Sequence, residues 1–453
     1  MAQGKSTREG KLCKGVKFRI DPSKEQEEII QRHFDGVCLV WNYANALRIQ
    51  RKEDHQTLKE SDYYYTVIQN IPGNEWMKTL SSSALAQEAK RYKKRYDWMW
   101  EEYKKTGRIN PPRFKKPEDP RNSYTIQVQH CHSSKPQGGG AYIDWGTSTV
   151  YVSKVGRIKA KLHRRFKGEI TFATISRTKT GKYYISFTVY LDRKPPQLPK
   201  TGKAIGIDIG VKDRMVTSDG TIYPNERIRA KYNRELVLLQ RKMARSDIEF
   251  KKRREEAIKN GTWVETGEKH SKTWYKHHKK FLAIHEKITE IRKDIAHKRS
   301  AELVRENDLI CVEKLKVKNM LRKGKKNSAK KRGLHRNIAD VAPALLLYDL
   351  KYKAKERGKE VQEVGQNYPS TQICNNYGER TGPKGIGELG VREWVCSNCH
   401  AHNHRDHNAA NNILDEGIRL HEEEKLRKEG KLPKPKTKKQ KRKEQQNDYS
   451  KCS

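Results

Sequence analysis

Apolar and polar positions alternate near the start of the chain. Val16, Phe18 and Ile20 are interleaved with Lys17 and Arg19, the period of a strand with one buried face. Pro22 breaks the pattern, and Ser23 with Gln26 three positions later is a helix-capping pair. A mostly helical region is predicted from there to about Tyr103, rich in aromatic and charged residues (WNYANALRI, DYYYTVI, RYKKRYDWMWEEY). Residues 107–120 contain four prolines and read as a connection. From about residue 123 to residue 191 the period is two again. Ile170, Phe172 and Thr174 alternate, then Tyr183, Ile185, Phe187, Val189 and Leu191, with residues 179–181 as the turn. An antiparallel hairpin inside a small sheet or barrel is expected.

A Pro-rich linker, DRKPPQLPKTG (residues 192–202), marks a domain boundary. Beyond it AIGIDIG (204–210) is the short apolar run of a buried strand, and MVTSDGTIY (215–223) predicts a strand and hairpin turning at Asp219 and Gly220. Tyr232, Leu236, Leu239 and Met243 recur at helical spacing, as do Phe281, Ile284, Ile288, Ile291 and Ile295. Two long helices pairing as a hairpin through these stripes, turned through residues 261–272, are expected. The stripes read as packing seams. DLICVE (308–313) and KEVQEV (359–364) are two more buried strands, and strands separated by long helices favour an α/β sheet with parallel neighbours.

Charge changes the picture. The 453 residues carry a formal net charge of +43 with 34% hydrophobic content. So large a positive excess calls for a polyanion, and nucleic acid is the usual one, because each neutralised phosphate releases counterions. A solvated basic tail accounts for residues 425–443, but KRYKKRY, PPRFKKP, KLHRRFK, FKKRREE and LRKGKKNSAKKRGLHR spread the excess along the chain. No run approaches the ~18 apolar residues of a membrane span, and MAQGKSTREG lacks a signal-peptide core, so no membrane partner is expected. The eight cysteines form no disulfide framework and fit a reducing compartment. The expected location is the cytoplasm, with nucleoid association if the source is prokaryotic.

Three carboxylates end or interrupt apolar runs. Asp208 lies inside AIGIDIG, Glu313 closes LICVE, and Asp406 precedes the apolar helix face of Ala409, Ala410, Ile413 and Leu414. A carboxylate beside a buried strand is costly unless a cation or donors compensate it. Three converging would make a hard-oxygen site for Mg²⁺ (or Mn²⁺), and two such ions roughly 3.5–4 Å apart hydrolyse phosphodiesters. Taken singly, Asp208 could begin a turn, Glu313 could pair with a lysine, and Asp406 could cap a helix. Cys396 and Cys399 form a C-x₂-C and Cys374 lies upstream, but Tyr377 stands where the second thiolate of a zinc ribbon is expected. His400, His402 or His404 as a fourth ligand, weak Zn²⁺ binding, and a metal-free ribbon are all open. Cys13, Cys38, Cys131, Cys311 and Cys452 have no partner spacing.

GIDIGVKDRMVTSDG, ICVEKLKVKNM and CNNYGERTGPKGIGELGVREWVCSNCHAHNHRDHNAANNIL resemble the three RuvC motifs and zinc ribbon of TnpB, the transposon-encoded RNA-guided nuclease family related to type V CRISPR effectors. VKFRIDPSKEQEEII, VWNYANALRI, PPRFKKP and SKVGRIK are similar to family segments in the same order. The resemblance implies a multidomain α+β chain: a ribonuclease H-like α/β RuvC domain with a zinc-ribbon insert, a β-barrel wedge domain, and a helical recognition domain inserted into it. In this numbering the wedge takes residues 1–22 and 121–195, recognition 23–120, RuvC 201–368 and 403–421, the ribbon-like insert 369–402, and a basic disordered tail 422–453.

The implied action is two-metal cleavage of double-stranded target DNA next to a short adjacent motif, at a site chosen by a guide RNA from the transposon end. Asp208, Glu313 and Asp406 would hold magnesium, and Cys374, Cys396 and Cys399 zinc. Base pairing would read sequence while protein cations hold the backbone. Candidate nucleic-acid contacts are Arg113, Lys115, Lys116, Ser123 and Tyr124, and Arg322, Lys323, Lys325 and Lys326, which flank Gly324 as a flexible lid or a solvated charged loop. A nuclease-inactive RNA-guided DNA-binding repressor is the alternative, although all three acidic residues are present. A transposase acting on transposon ends lacks a nucleophilic Tyr/His site. Lys314 and Arg214 depart from the family pattern near two of the carboxylates.

Overall fold

The computed structural model describes residues 11–53, 68, 71–116, 122–132, 139–193, 195–262, 269–322, 329–384, 388 and 390–433. They fall into two compact units, Met1–Lys194 and Pro195–Ser453, divided inside the expected linker.

The first unit is a seven-stranded sheet with two long helices. Its strands are β1 (Cys13–Asp21), β2 (Ser123–His132), β3 (Ala141–Asp144), β4 (Thr149–Val152), β5 (Gly156–Lys161), β6 (Gly168–Arg177) and β7 (Tyr183–Leu191). The order is β2-β6-β7-β1-β5-β4-β3, and an antiparallel bridge between Gln129 and Gly139 nearly closes the sheet into a barrel. Val16, Phe18 and Ile20 on β1 and Tyr183, Ile185, Phe187 and Val189 on β7 are buried, as their alternation predicts. On β6 the expected face holds only at Ile170. A register shift between Ile170 and Phe172 inserts an extra residue, so Ala173 and Ile175 are buried in place of Phe172 and Thr174.

Helix α1 (Lys24–Glu53) starts at the predicted pair: Ser23 N–H donates to Gln26 Oε1 (3.0 Å) and Gln26 N–H to Ser23 Oγ (3.3 Å). Helix α2 (Ser82–Thr106) packs beside it, and Ile30, Phe34, Val40, Ala84, Leu85 and Tyr92 join the sheet's apolar core. Residues 107–116 form no helix or strand.

The second unit is built on a five-stranded sheet, ordered β10 (Ile222–Pro224), β9 (Asp213–Thr217), β8 (Ala204–Asp208), β11 (Leu309–Glu313) and β12 (Glu360–Val364). β11 runs parallel to both β8 and β12, whereas β8, β9 and β10 are antiparallel. Helices α3 (Asn233–Lys259) and α4 (Lys272–Glu306) form the expected hairpin, sealed by Leu236, Leu239, Ile284 and Ile288. Helix α5 (Ala329–Val341) follows β11, and α6 (Pro343–Arg357) leads into β12. The sheet is covered on both faces, as parallel strands require. Ile205, Ile207, Ile310 and Val312 pack on Ala296, Leu303, Leu346 and Leu350 of α4 and α6. Residues of the opposite parity, including Cys311, pack on Ile413 of α7 (Arg405–Lys428).

Helix α7 continues past residue 421, where a disordered tail was expected to begin. Pairs such as Arg427–Glu423 (2.7 Å) and Lys428–Glu424 (3.1 Å), one turn apart, support a charged segment as helix. Residues 434–453 of that tail lie outside the described residues. No helix among the described residues is long and apolar enough to cross a membrane.

Candidate active site and cysteine cluster

The sheet's register brings the first two acidic residues together. Ile207 pairs with Val312 in the parallel ladder, so Asp208 and Glu313 follow at adjoining carboxyl ends of β8 and β11. Both share the parity of the residues that face α7, and the carboxyl edge of parallel strands is where open α/β sheets build their sites. Gly206 lets α7 approach: a Cβ there would lie 2.1 Å from the Ala410 carbonyl oxygen and 2.7 Å from Leu414 N. The contact draws Asp406, in the first turn of α7, toward the strand ends. The cap of α7 belongs to His404, whose ring accepts from His407 N–H, so Asp406 is free of that duty. His407 Nε2 lies 3.1 Å from the Ser218 carbonyl on the β9–β10 turn, a further tie.

Asp208 feels the other two carboxylates. Burial, then Asp406 and Glu313, push the Asp208 carboxyl up to about 7, against Arg405 and Arg392. Burial also raises Glu313. Among the described residues, the oxygens of the three do not all fall within 4.8 Å of one another. Arg392 Nη1 contacts both oxygens of Asp406, at 2.8 and 3.1 Å, neutralising it. Nothing in the sequence singles this arginine out: it stands fourteen positions upstream, outside any apolar run.

Cys374, Cys396 and Cys399 form a second cluster, their sulfurs all within 4.8 Å of one another, with Cys374 Sγ 3.7 Å from Cys399 Sγ. Strands β13 (Glu393–Val395) and β14 (His402–His404) frame it. Neither His400, His402 nor His404 belongs to the group, and Tyr377 is half exposed. An asparagine ladder fastens the cluster to α7. Asn408 accepts from Asn375 N–H (2.9 Å) and donates to Ile373 O (2.7 Å), and Asn412 donates to Ser370 O (2.8 Å).

The expected nucleic-acid contacts divide. Arg113 and Lys116 are exposed, and Ser123 with Lys116, Phe34, Arg91 and Phe114 lines a cavity of about 360 Å³. Tyr124 is fully buried and stacked on His33 at 4.7 Å, so its ring serves the core and not a ligand. Lys115 pairs with the buried Glu88 and lies 4.6 Å over Trp41, while its backbone is held by Asn42, which makes it a packing lysine. Arg322 is exposed, and Lys323, Lys325 and Lys326 lie outside the described residues.

Residues 186–324 match the family profile described as "Probable transposase", residues 346–413 the "Cas12f1-like, TNB domain", and residues 13–56 a "Helix-turn-helix domain". A "Putative RNA-guided DNA endonuclease" of Streptomyces pristinaespiralis is 27% identical over 416 residues, 89% of this chain and 89% of that protein. "Putative RNA-guided DNA endonuclease InsQ" of Escherichia coli (strain K12) is 27% identical over 421 residues, 90% of this chain and 93% of that protein. These matches agree with the resemblance to TnpB, and a 133-residue stretch is 35% identical to "TnpB-like protein L79" of Acanthamoeba polyphaga mimivirus, 29% of this chain and 24% of that protein. A chain of the solved Cas12f1–sgRNA–target DNA complex aligns with a TM-score of 0.50 at 11% identity, covering 89% of this chain and 98% of that one, which is a likeness of fold. In this chain the segment matching a helix-turn-helix forms β1 and the single long helix α1, as far as it is described.

The departures from the TnpB pattern also find places. Arg214 is fully buried, pairs with Glu226 at 2.6 Å, and donates to the carbonyls of Asp340 and Val341 at the end of α5. Its charge is therefore spent on fastening a helix. Lys314 is exposed, and its N–H donates to Val364 O in the strand that follows.

Proposed function

We propose that the chain is an RNA-guided DNA endonuclease of a transposable element, cutting double-stranded DNA at a guide-matched site beside a short adjacent motif. The second unit would be its ribonuclease H-like RuvC nuclease, with residues 369–402 as the ribbon-like insert. The first unit would unite the wedge barrel with the recognition helices and hold nucleic acid by its backbone through exposed cations such as Arg113 and Lys116. The observation that supports this reading is the register that ends β8 and β11 side by side at Asp208 and Glu313, with α7, which carries Asp406, packed on Gly206 of β8.

The acidic residues fit a divalent metal. They are hard oxygen donors, and a carboxyl raised to about 7 by burial and two like charges marks a place where a cation relieves repulsion. Asp208, Glu313 and Asp406 would hold Mg²⁺ (or Mn²⁺). Bound divalent ions would supply activation of a water and stabilisation of the departing 3′ oxygen. The chain's own groups do the rest. Asp208 must lose its proton before it can ligate. Arg392 balances the charge of Asp406 and would compete with a cation for it. The soft donors Cys374, Cys396 and Cys399 fit Zn²⁺, which would stiffen the insert.

The test is to sequence RNA that co-purifies with the full chain and assay matched and mismatched duplexes with Mg²⁺. Cutting of both strands of matched DNA alone is expected. Binding with both strands left whole across several divalent ions would instead identify an RNA-guided repressor.

A further inference from the structure

The two limbs of the cysteine cluster have the same backbone. In the first, Cys374 N–H donates to Glu379 O (2.9 Å) and Gly378 N–H returns to Cys374 O (2.7 Å). In the second, Cys396 N–H donates to Ala401 O (3.0 Å) and His400 N–H returns to Cys396 O (3.0 Å). The residue after each fourth position is left-handed: Gly378 at φ +84° and His400 at φ +55°. A non-glycine residue in that conformation is uncommon and persists where the surrounding structure holds it. Both loops are therefore built as metal knuckles, and residue 377 in one is the counterpart of residue 399 in the other.

Only the side chains differ. Cys399 turns its thiol to 3.7 Å from Cys374 Sγ, whereas Tyr377 is 49% exposed. A phenol is a poor ligand for a soft site. No histidine, aspartate or glutamate among the described residues takes its place within 4.8 Å of the three sulfurs. Around them Asn403 Nδ2 donates to Cys374 Sγ (3.6 Å), and Thr381 Oγ1 lies 3.2 Å from Cys396 Sγ, contacts that orient the thiols. Cys399 is itself exposed, so solvent reaches the cluster.

We infer that this cluster is a three-thiolate metal site with its fourth position open, taking water or a small exogenous thiolate as the last ligand and holding zinc exchangeably. The inference rests on the zinc reading above and goes past it. Closed four-ligand sites are structural, whereas an open position is where metals exchange ligands. Substituting Tyr377→Cys on an unchanged backbone would close the site.

Cobalt(II) titration of the metal-stripped full chain tests this by absorbance. The wild type is expected to show a weaker thiolate-to-metal band than Tyr377→Cys, in proportion to its three thiolates. Added β-mercaptoethanol should raise the wild-type band and leave Tyr377→Cys unchanged, and Tyr377→Phe should behave as wild type. In zinc competition with a chromogenic chelator, Tyr377→Cys should bind at least about tenfold more tightly. A wild-type band equal to that of Tyr377→Cys and indifferent to the thiol overturns the open position, as does a spectrum altered by Tyr377→Phe. Failure of both wild type and Tyr377→Cys to bind either metal overturns the zinc reading itself.

Discussion

Tyr124 illustrates how a residue's surroundings decide its role. Its hydroxyl is buried with no hydrogen-bond partner, and burial holds its proton far above the ordinary range. A buried polar atom without a partner costs stability. Tyr124→Phe should therefore leave stability unchanged or raise it by up to about 1 kcal/mol in urea unfolding, with RNA binding intact. Weakened RNA binding in a stably folded variant would return the ring to the nucleic-acid surface. Arg392 poses the opposite question, because it competes with any cation for Asp406. Arg392→Ala should tighten Mn²⁺ binding by about tenfold, the worth of a charge-assisted hydrogen bond, as read by the loss of free-ion electron paramagnetic signal. Unchanged affinity would show that the guanidinium does not guard the site.

Helix and strand placement turns on two further residues. Gly206 is the point where β8 touches α7 backbone to backbone, and any Cβ there must push the helix that carries Asp406. Gly206→Ala should cost about 2 kcal/mol and depress cutting although every acidic residue remains. Full activity at unchanged stability would mean that α7 has slack. At the other end of the sheet, the Lys359 ammonium and then the Thr201 and Gly202 amides hold the Asp308 carboxyl well below the usual carboxylate range. This staple fixes where β8 and β11 begin, and hence that Asp208 ends beside Glu313. A depressed folded pKa gives stability that is complete above the unfolded value of about 4 and fades as pH falls toward the folded one. Wild type should accordingly exceed Asp308→Asn in urea midpoint at neutral pH, and the gap should close as pH drops below about 4. A gap constant from pH 7 to pH 3 would contradict the staple.

The net charge of +43 and the alternating and helical stripes were readable from the sequence because each is local or additive. Strand β1, the capped start of α1, the α3–α4 hairpin and the acidic ends of β8 and β11 follow the sequence pattern for that reason. What escaped it depends on partners distant in the chain. The register shift at Thr171, the Glu88–Lys115 pair, Arg392 on Asp406 and the approach at Gly206 leave no periodic signal. The central claim is that Asp208, Glu313 and Asp406 act as one metal-holding group in an RNA-guided nuclease. It is tested most directly by purifying the RNA-loaded wild type and the variants Asp208→Ala, Glu313→Ala and Asp406→Ala, then measuring binding and cutting of matched DNA in Mg²⁺ side by side. Each variant should bind as wild type does and cut at least about 10³-fold more slowly, the loss of several kcal/mol of metal-borne stabilisation. Variants that cut at the wild-type rate would contradict the account.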